Sequence, residues 1–245
     1  MELYNTLIRD TLASLGAPAP RAWDYRPADC WRDLGSGELV LRKDAAYELG
    51  SAGHGSLNSV LFSSSPDFCD TDRVELRGPD LCEIRSDTDF ARIVILRVGV
   101  LDDDNEKVYR ILKDIEFAKY HVNPEGYMVR ISPESAREQV RVSRQALRSR
   151  ISFRNIGCSY IREYKKDPNV LNARVLFLTG PGYDYDGLMK IAKKASAVTG
   201  TLTTILEGLP TDCSVCSLKG ICDEVEGMKE LHFGVGAKGA ERRAP

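Results

Sequence analysis

The stretch Ala91-Arg-Ile-Val-Ile-Leu-Arg-Val98 decides the fold class, because it is a nearly continuous run of apolar residues. A run of this length is typical of a strand that is buried on both faces of a sheet. We therefore predict a central strand here. The acidic turn at residues 102–105 then opens a helix, whose apolar positions keep helical spacing: Val108, Ile111, Leu112 and Ile115.

Shorter segments on both sides of this strand complete the predicted body. Strands are predicted at residues 38–42, 59–62, 73–77, 126–131 and 174–178. Helices are predicted at residues 2–15, 133–150, 184–198 and 200–207. Because strands and helices alternate irregularly, the fold class is α/β or α+β, with a mixed sheet and flanking helices.

The chain divides into three parts by composition. Residues 1–207 form the predicted mixed body, and residues 208–233 form a small C-terminal lobe that carries clustered cysteines. The tail at 234–245 has too few apolar residues to bury a core, so we expect it to be disordered.

Composition excludes several classes of partner. The chain has 245 residues, 42% of them hydrophobic and 29% charged, with a net charge of -2. This balance gives no electrostatic reason for binding nucleic acid or a membrane. No apolar run approaches the roughly 20 residues that span a bilayer. The start of the chain lacks the features of a signal peptide, so we expect a cytoplasmic protein.

Three of the seven cysteines, Cys213, Cys216 and Cys222, fall within ten residues with the spacing C-x2-C-x5-C. In a reducing compartment, clustered cysteines more often bind metal than form disulfides. A structural zinc site usually has two close pairs of ligands, whereas three clustered thiolates and one distant ligand favour a 4Fe–4S cluster. Zinc and three unrelated buried thiols remain the alternatives.

The fourth ligand of such a cluster is open. Cys158 is the first candidate, because it follows a glycine after residues 153–156, which read as a strand. Other candidates are Cys30, Cys69, Cys82 and a non-protein ligand. His232 lies ten residues after Cys222 and is a further candidate, although a surface histidine is the commoner interpretation.

The predicted helix at 133–150 begins at Ser132-Pro133-Glu134, a capping residue followed by proline and an acid. Its arginines could hold a phosphate or dock an acidic electron carrier: Arg137, Arg141, Arg144, Arg148 and Arg150. A solvated face is the alternative.

Two histidines remain. His54 is a candidate site residue, because Gly53 and Gly55 would let the backbone approach a ligand closely; a flexible turn is the alternative. His121 reads as a helix cap. The chain has no Walker loop, nucleophile elbow or H-E-x-x-H motif.

Several of these segments resemble a known family. The stretch Val74-Glu-Leu-Arg-Gly78-Pro79-Asp80-Leu81 is similar to a strand that ends in G-P-D. Arg141-Val142-Ser143-Arg144-Gln145-Ala146, followed by Phe153-Arg-Asn-Ile156-Gly157, is similar to R-V-S-K-x-A and F-x-x-I-G. In this order they resemble the middle domain of the acetyl-CoA synthase β subunit, from the carbon monoxide dehydrogenase/acetyl-CoA synthase complex. The resemblance covers residues 38–180.

The resemblance implies a cysteine segment next in the chain. In the family this segment binds a 4Fe–4S cluster bridged to a dinuclear nickel site, where acetyl-CoA is assembled. Cys213, Cys216 and Cys222 stand where it should begin. The chain lacks the Cys-Gly-Cys motif that holds the distal nickel, so we expect no nickel.

The function expected from these observations is that of a stand-alone iron–sulfur protein in anaerobic one-carbon or corrinoid metabolism. It would transfer electrons or dock a partner, such as a corrinoid protein, a ferredoxin or a carbon monoxide dehydrogenase component. Homo-oligomers are also possible. Two alternatives are an acyl or methyl transferase related to the synthase, and a structural subunit whose metal only staples the C-terminal segment.

Overall fold

The computed structural model describes residues 1–16, 19–99, 105–132, 135–206 and 219–225. Its strands are β1 (Arg21–Asp24), β2 (Ala45–Leu49), β3 (Ser56–Ser63), β4 (Arg73–Arg77), β5 (Phe90–Val98), β6 (Tyr127–Ser132), β7 (Arg137–Ser143) and β8 (Val170–Thr179). Its helices are α1 (Glu2–Ser14), α2 (Asn105–Phe117), α3 (Arg144–Arg148), α4 (Phe153–Tyr164), α5 (Tyr185–Leu206) and α6 (Lys219–Glu224).

Five strands form a mixed sheet in the order β1-β4-β8-β5-β3. Strand β5 runs parallel to β3 and antiparallel to β8, while β8 runs parallel to β4. Every residue of β5 except Arg97 is buried, which confirms the internal strand predicted from the apolar run. The predicted fold class, a mixed sheet with flanking helices, is also confirmed.

A second, antiparallel sheet has the order β2-β7-β6 and packs through β7 against β3 and β5. In β7 the residues alternate between part-exposed and buried, and Glu138, Val140 and Val142 are the buried ones. This period of two is the signature of a strand with one covered face. The smaller sheet therefore lies on the main sheet with the Glu138 face inward.

Helix α4 packs against β4 and β8, and helices α1 and α5 pack along the edge strand β3. The approach of α4 is close enough to require glycine at one position. A Cβ atom at Gly157 would lie 2.5 Å from Cγ1 of Val74. Among the described helices, none is long and apolar enough to cross a membrane.

The prediction of a helix at residues 133–150 is wrong. Residues 137–143 form strand β7, and only the short helix α3 follows, capped by Ser143, whose hydroxyl accepts a hydrogen bond from the Ala146 N–H at 3.0 Å. The arginines recur every three to four residues, as on a helix face. However, the alternating burial of β7 is that of a strand.

Three further predictions are corrected. Residues 38–42 form no strand, because the backbone turns there, with the Asp44 and Ala45 N–H groups both bonded to the Leu41 carbonyl. Residues 153–156 open helix α4, since Ser152 caps its first turn by accepting from the Asn155 N–H. The two helices predicted at 184–198 and 200–207 are one continuous helix, α5, which passes through Gly200.

The other predictions agree with the structure. Helices α1 and α2 and strands β3, β4, β6 and β8 are confirmed near their predicted bounds. Within the predicted lobe at 208–233, the described residues 219–225 contain helix α6. The predicted tail at 234–245 lies outside the described residues.

A buried ion pair joins the two sheets. Arg92 on β5 and Glu138 on β7 are both fully buried, and the guanidinium bonds both carboxylate oxygens, at 2.9 Å from Nε to Oε1 and 2.5 Å from Nη2 to Oε2. The Tyr160 ring of α4 lies 4.0 Å from the guanidinium carbon. Since a buried charge must be compensated, these contacts fix how the sheets and α4 meet.

We predict that Glu138→Gln destabilises the protein by about 3–5 kcal/mol, because it leaves a buried guanidinium uncompensated. Urea unfolding measures the loss. The control is Arg32→Gln, which removes an exposed ion pair to Glu125 and should cost less than about 1 kcal/mol. The double variant Arg92→Met/Glu138→Leu should recover most of the stability. A double variant as unstable as Glu138→Gln would show that the unpaired charge is not the cause.

Candidate functional site

A glycine-rich loop at residues 50–55 joins β2 to β3 and forms one wall of a pocket. Gly50 has a φ of +62°, and a Cβ there would lie 2.7 Å from the Glu138 carbonyl oxygen. Only glycine combines this backbone conformation with so close an approach. At Gly55 a Cβ would lie 2.6 Å from the Tyr185 ring. The loop is thus pressed against β7 and α5.

Hydrogen bonds from the segment before β5 hold this loop in place. The Gly50 N–H donates to the Thr88 carbonyl at 2.8 Å, and the Gly55 N–H donates to Oδ1 of Asp89 at 2.7 Å. The Phe90 N–H donates in turn to the Gly55 carbonyl at 2.9 Å. Both ends of the loop are therefore hydrogen-bonded to the segment before β5.

His54 sits at the exposed end of this loop and is paired with Asp89. Its Nδ1 lies 3.3 Å from Oδ1 of Asp89, and the two side chains are 35% and 21% exposed. The carboxylate lies within ion-pair distance of the ring, and an imidazole ring has a second nitrogen, Nε2, that can exchange a proton with a bound molecule.

Arg137 joins the same pocket from β7. Its Nη2 donates to the His54 carbonyl at 3.1 Å and reaches the Gly50 carbonyl at 3.5 Å. The sequence indicated His54 and Arg137 separately, and the structure brings them together. Helix α5 closes the other side with Tyr185, whose hydroxyl donates to the Gly180 carbonyl at 2.9 Å.

The resulting pocket has a volume of about 380 Å³, within the range of small-molecule sites. Its remaining lining residues are Gly53, Ser56, Ser135, Asp186, Met189 and Lys193. Lys193 is exposed at its edge and can attract an anionic group. The arrangement can hold a small polar molecule and exchange a proton with it through His54.

Two other arginines of the predicted docking row, Arg141 and Arg144, have structural partners. Arg141 bonds Glu48, at 2.6 Å from Nη2 to Oε1, and the Val40 carbonyl. Arg144 donates to the Lys43 carbonyl, and Arg148 is exposed on α3. These side chains do not share a helix face, so the row is a strand face followed by a short helix. Their role in docking stays a prediction.

Cys222 is the one residue of the cysteine triplet within the described ranges. It lies on α6, which contacts α5, and it packs with Ile221 and Val225 against the main core. An ion pair between Lys194 of α5 and Glu224, 2.6 Å from Nζ to Oε2, joins the two helices. Cys213, Cys216 and His232 lie outside the described residues.

Cys158 is fully buried on α4, where burial raises the pKa of its thiol above the ordinary value. Burial likewise raises the pKa of the half-buried Cys30 thiol. Burial also raises the pKa of Cys69, to about 11, whereas Cys82 is exposed. Within the ranges that the structure covers, no three cysteine, histidine or acidic residues form a metal-binding group. The fourth ligand stays a prediction.

His121 ends a 3₁₀ turn at residues 118–120, where its N–H bonds the Ala118 carbonyl at 3.0 Å. The predicted capping position is confirmed. Sequence reasoning missed Asp89, Tyr185 and Lys193 as members of the His54 pocket. Tyr185 and Lys193 lie more than 130 positions after His54 in the chain, so only the folded structure shows that they are its neighbours. For Asp89, the sequence offered one indication: two aspartates, Asp87 and Asp89, stand directly before the apolar run that forms β5.

Two comparisons with known proteins were negative. The chain matches no protein-family model, and no curated protein matches it significantly. The resemblance to acetyl-CoA synthase therefore rests on the motifs quoted above and stays a prediction.

We predict that Asp89→Ala accelerates hydrogen exchange at the Gly55 amide by about tenfold or more, because this amide loses a charged acceptor. Nuclear magnetic resonance measures the rate residue by residue. The Gly50 amide is the internal control, since its acceptor is the Thr88 carbonyl. Equal acceleration at both amides would contradict a local anchor and indicate that the whole loop opens.

Proposed function

We propose that this chain is an iron–sulfur protein in which Cys213, Cys216 and Cys222 ligate a 4Fe–4S cluster. The observation that carries the proposal is the placement of three thiols within ten residues. Thiolates are the usual ligands of such clusters, and a C-x2-C pair can bind neighbouring irons from one turn. A bound cluster would supply one-electron transfer.

The described part of the segment is compatible with this role. Cys222 is half-buried, on a six-residue helix that contacts α5 through an ion pair and apolar side chains. A ligand on such a helix would connect the cluster to the body. The fourth position could be taken by Cys158, by another cysteine or by a non-protein ligand. Zinc remains the alternative metal.

The biological role follows from the resemblance. We place the protein in anaerobic one-carbon or corrinoid metabolism, in the cytoplasm, where it exchanges electrons with a partner protein or docks it. A corrinoid protein, a ferredoxin or a carbon monoxide dehydrogenase component fits this role. The proposed docking residues are Arg137, Arg141, Arg144 and Arg148. Arg144 and Arg148 are exposed on α3, where their charge can meet an acidic partner, whereas Arg141 is already paired with Glu48.

Anaerobic purification followed by iron and sulfide analysis tests the cluster. We expect about four iron atoms and four sulfides per chain, and a paramagnetic resonance signal on reduction. Cys213→Ser, Cys216→Ser and Cys222→Ser should each lower the iron content. The matched control is Ser217→Ala, which changes a residue of the same segment that carries no thiol and should leave the iron content unchanged. Stoichiometric zinc without iron would refute the proposal.

A second candidate function is an acyl or methyl transferase, and the His54 pocket is the observation that favours it. A histidine oriented by a carboxylate is a common general acid or base, and such a group typically contributes a factor of about 10²–10⁴ in rate. An enzyme that uses the pocket would need both His54 and Asp89.

For this candidate, exchange of labelled coenzyme A into acetyl-CoA is the assay, run with and without the partner proteins named above, since a general base can take the proton of the attacking thiol and return it to the departing one. We predict that His54→Ala lowers any such activity by about a hundredfold or more. His121→Ala is the matched control and should have no effect, because His121 only ends a 3₁₀ turn. An absence of exchange in the unaltered chain would remove the transferase candidate and leave the iron–sulfur proposal standing.

A further inference from the structure

We propose that a second pocket, between α2, the β6–β7 hairpin and α5, binds an amphipathic monocarboxylate, with an apolar chain and one carboxylate. The pocket has a volume of about 490 Å³. It shares no lining residue with the His54 pocket. Its lining comes from four elements: Lys113, Glu116, Phe117, Lys119 and Tyr120 around α2, Ile131, Ser132 and Ala136 in the hairpin, Ser196, Thr199 and Gly200 on α5, and Asn58 on β3.

Most of the surface that lines this pocket is apolar, although several of its lining residues have polar groups. Phe117 remains 55% exposed although its ring is large, and Ile131 and Ala136 face it from the hairpin. On the α5 side, a Cβ added at Gly200 would meet no atom within 4 Å, so the space there is open. Concave apolar surface of this kind is what the hydrocarbon part of a ligand covers.

Lys119 supplies a buried polar anchor. Its side chain is only 8% exposed, and its ammonium lies 2.8 Å from Oε1 of Glu116 and 5.3 Å from the centre of the Tyr120 ring. An ammonium group has three N–H donors, and the contacts to described residues use one of them on a carboxylate. A buried N–H donor is stabilised by a hydrogen-bond acceptor, so a ligand carboxylate at this position would accept a hydrogen bond from the Lys119 ammonium.

The charges of the lining select a ligand with one negative charge. Among the described lining residues, two lysines, Lys113 and Lys119, and one glutamate, Glu116, give one net positive charge. Lys113 lies on the same side of α2 as Phe117, one turn earlier, where it can meet a carboxylate. Beneath the pocket, Arg92 and Glu138 cancel each other and add no net charge.

Titration calorimetry with sodium decanoate, below its micelle-forming concentration, tests the proposal. We expect saturable binding of one decanoate per chain, and binding at least about tenfold weaker for decyltrimethylammonium, which has the same chain and the opposite charge. Lys113→Gln should weaken decanoate binding by about tenfold, because it removes one charge-assisted contact.

Gly200→Leu is designed to fill the open space, and Gly200→Ala is its matched control. Both residues favour a helix more than glycine, so both variants should remain folded, which circular dichroism checks. We expect Gly200→Leu to abolish decanoate binding and Gly200→Ala to retain it. Three results would each overturn the proposal: no binding at about 1 mM, equal affinity for the cationic analogue, or unchanged affinity in Gly200→Leu.

Discussion

The ion pair between Arg92 and Glu138 is the interaction on which the arrangement of this protein depends. It is a charged contact between β5, an internal strand of the main sheet, and β7, the middle strand of the smaller sheet. Both side chains are fully buried. Apolar contacts between sheets tolerate sliding, whereas two charges that must meet in a dry interior do not. The pair therefore sets the register in which β7 crosses β5, and the ring of Tyr160 extends the same constraint to α4.

The geometry of the His54 pocket depends on this register. Because Glu138 points inward, its neighbour Arg137 must point outward, towards the carbonyls of the glycine loop. On β5, Asp89 lies directly before the first residue of the strand, three positions from Arg92. His54 is thus located by two strands that are locked together beneath it. A polar site on a loop gains its precision from a salt bridge that a ligand never contacts.

Part of this arrangement could be predicted from the sequence, and the failures have physical causes. Strands such as β5 and β4 are readable because their apolar residues are consecutive or bounded by clear turns. Strand β7 was missed because Glu138 occupies a buried position, so that a charge stands where the alternation requires an apolar residue. The glycines around His54 indicated a site residue. Its partner Asp89 and the α5 side chains become neighbours only through the pairing of distant strands.

Helix α5 is the feature that the three candidate sites have in common. Its first residue, Tyr185, lines the His54 pocket, its later residues line the second pocket, and α6 with Cys222 rests on it between them. With 22 residues it is a rod of about 33 Å. One continuous helix thus forms a wall of both pockets and contacts α6, so a molecule that displaces the whole helix at one pocket also moves a wall of the other and the residues that contact the Cys222 helix.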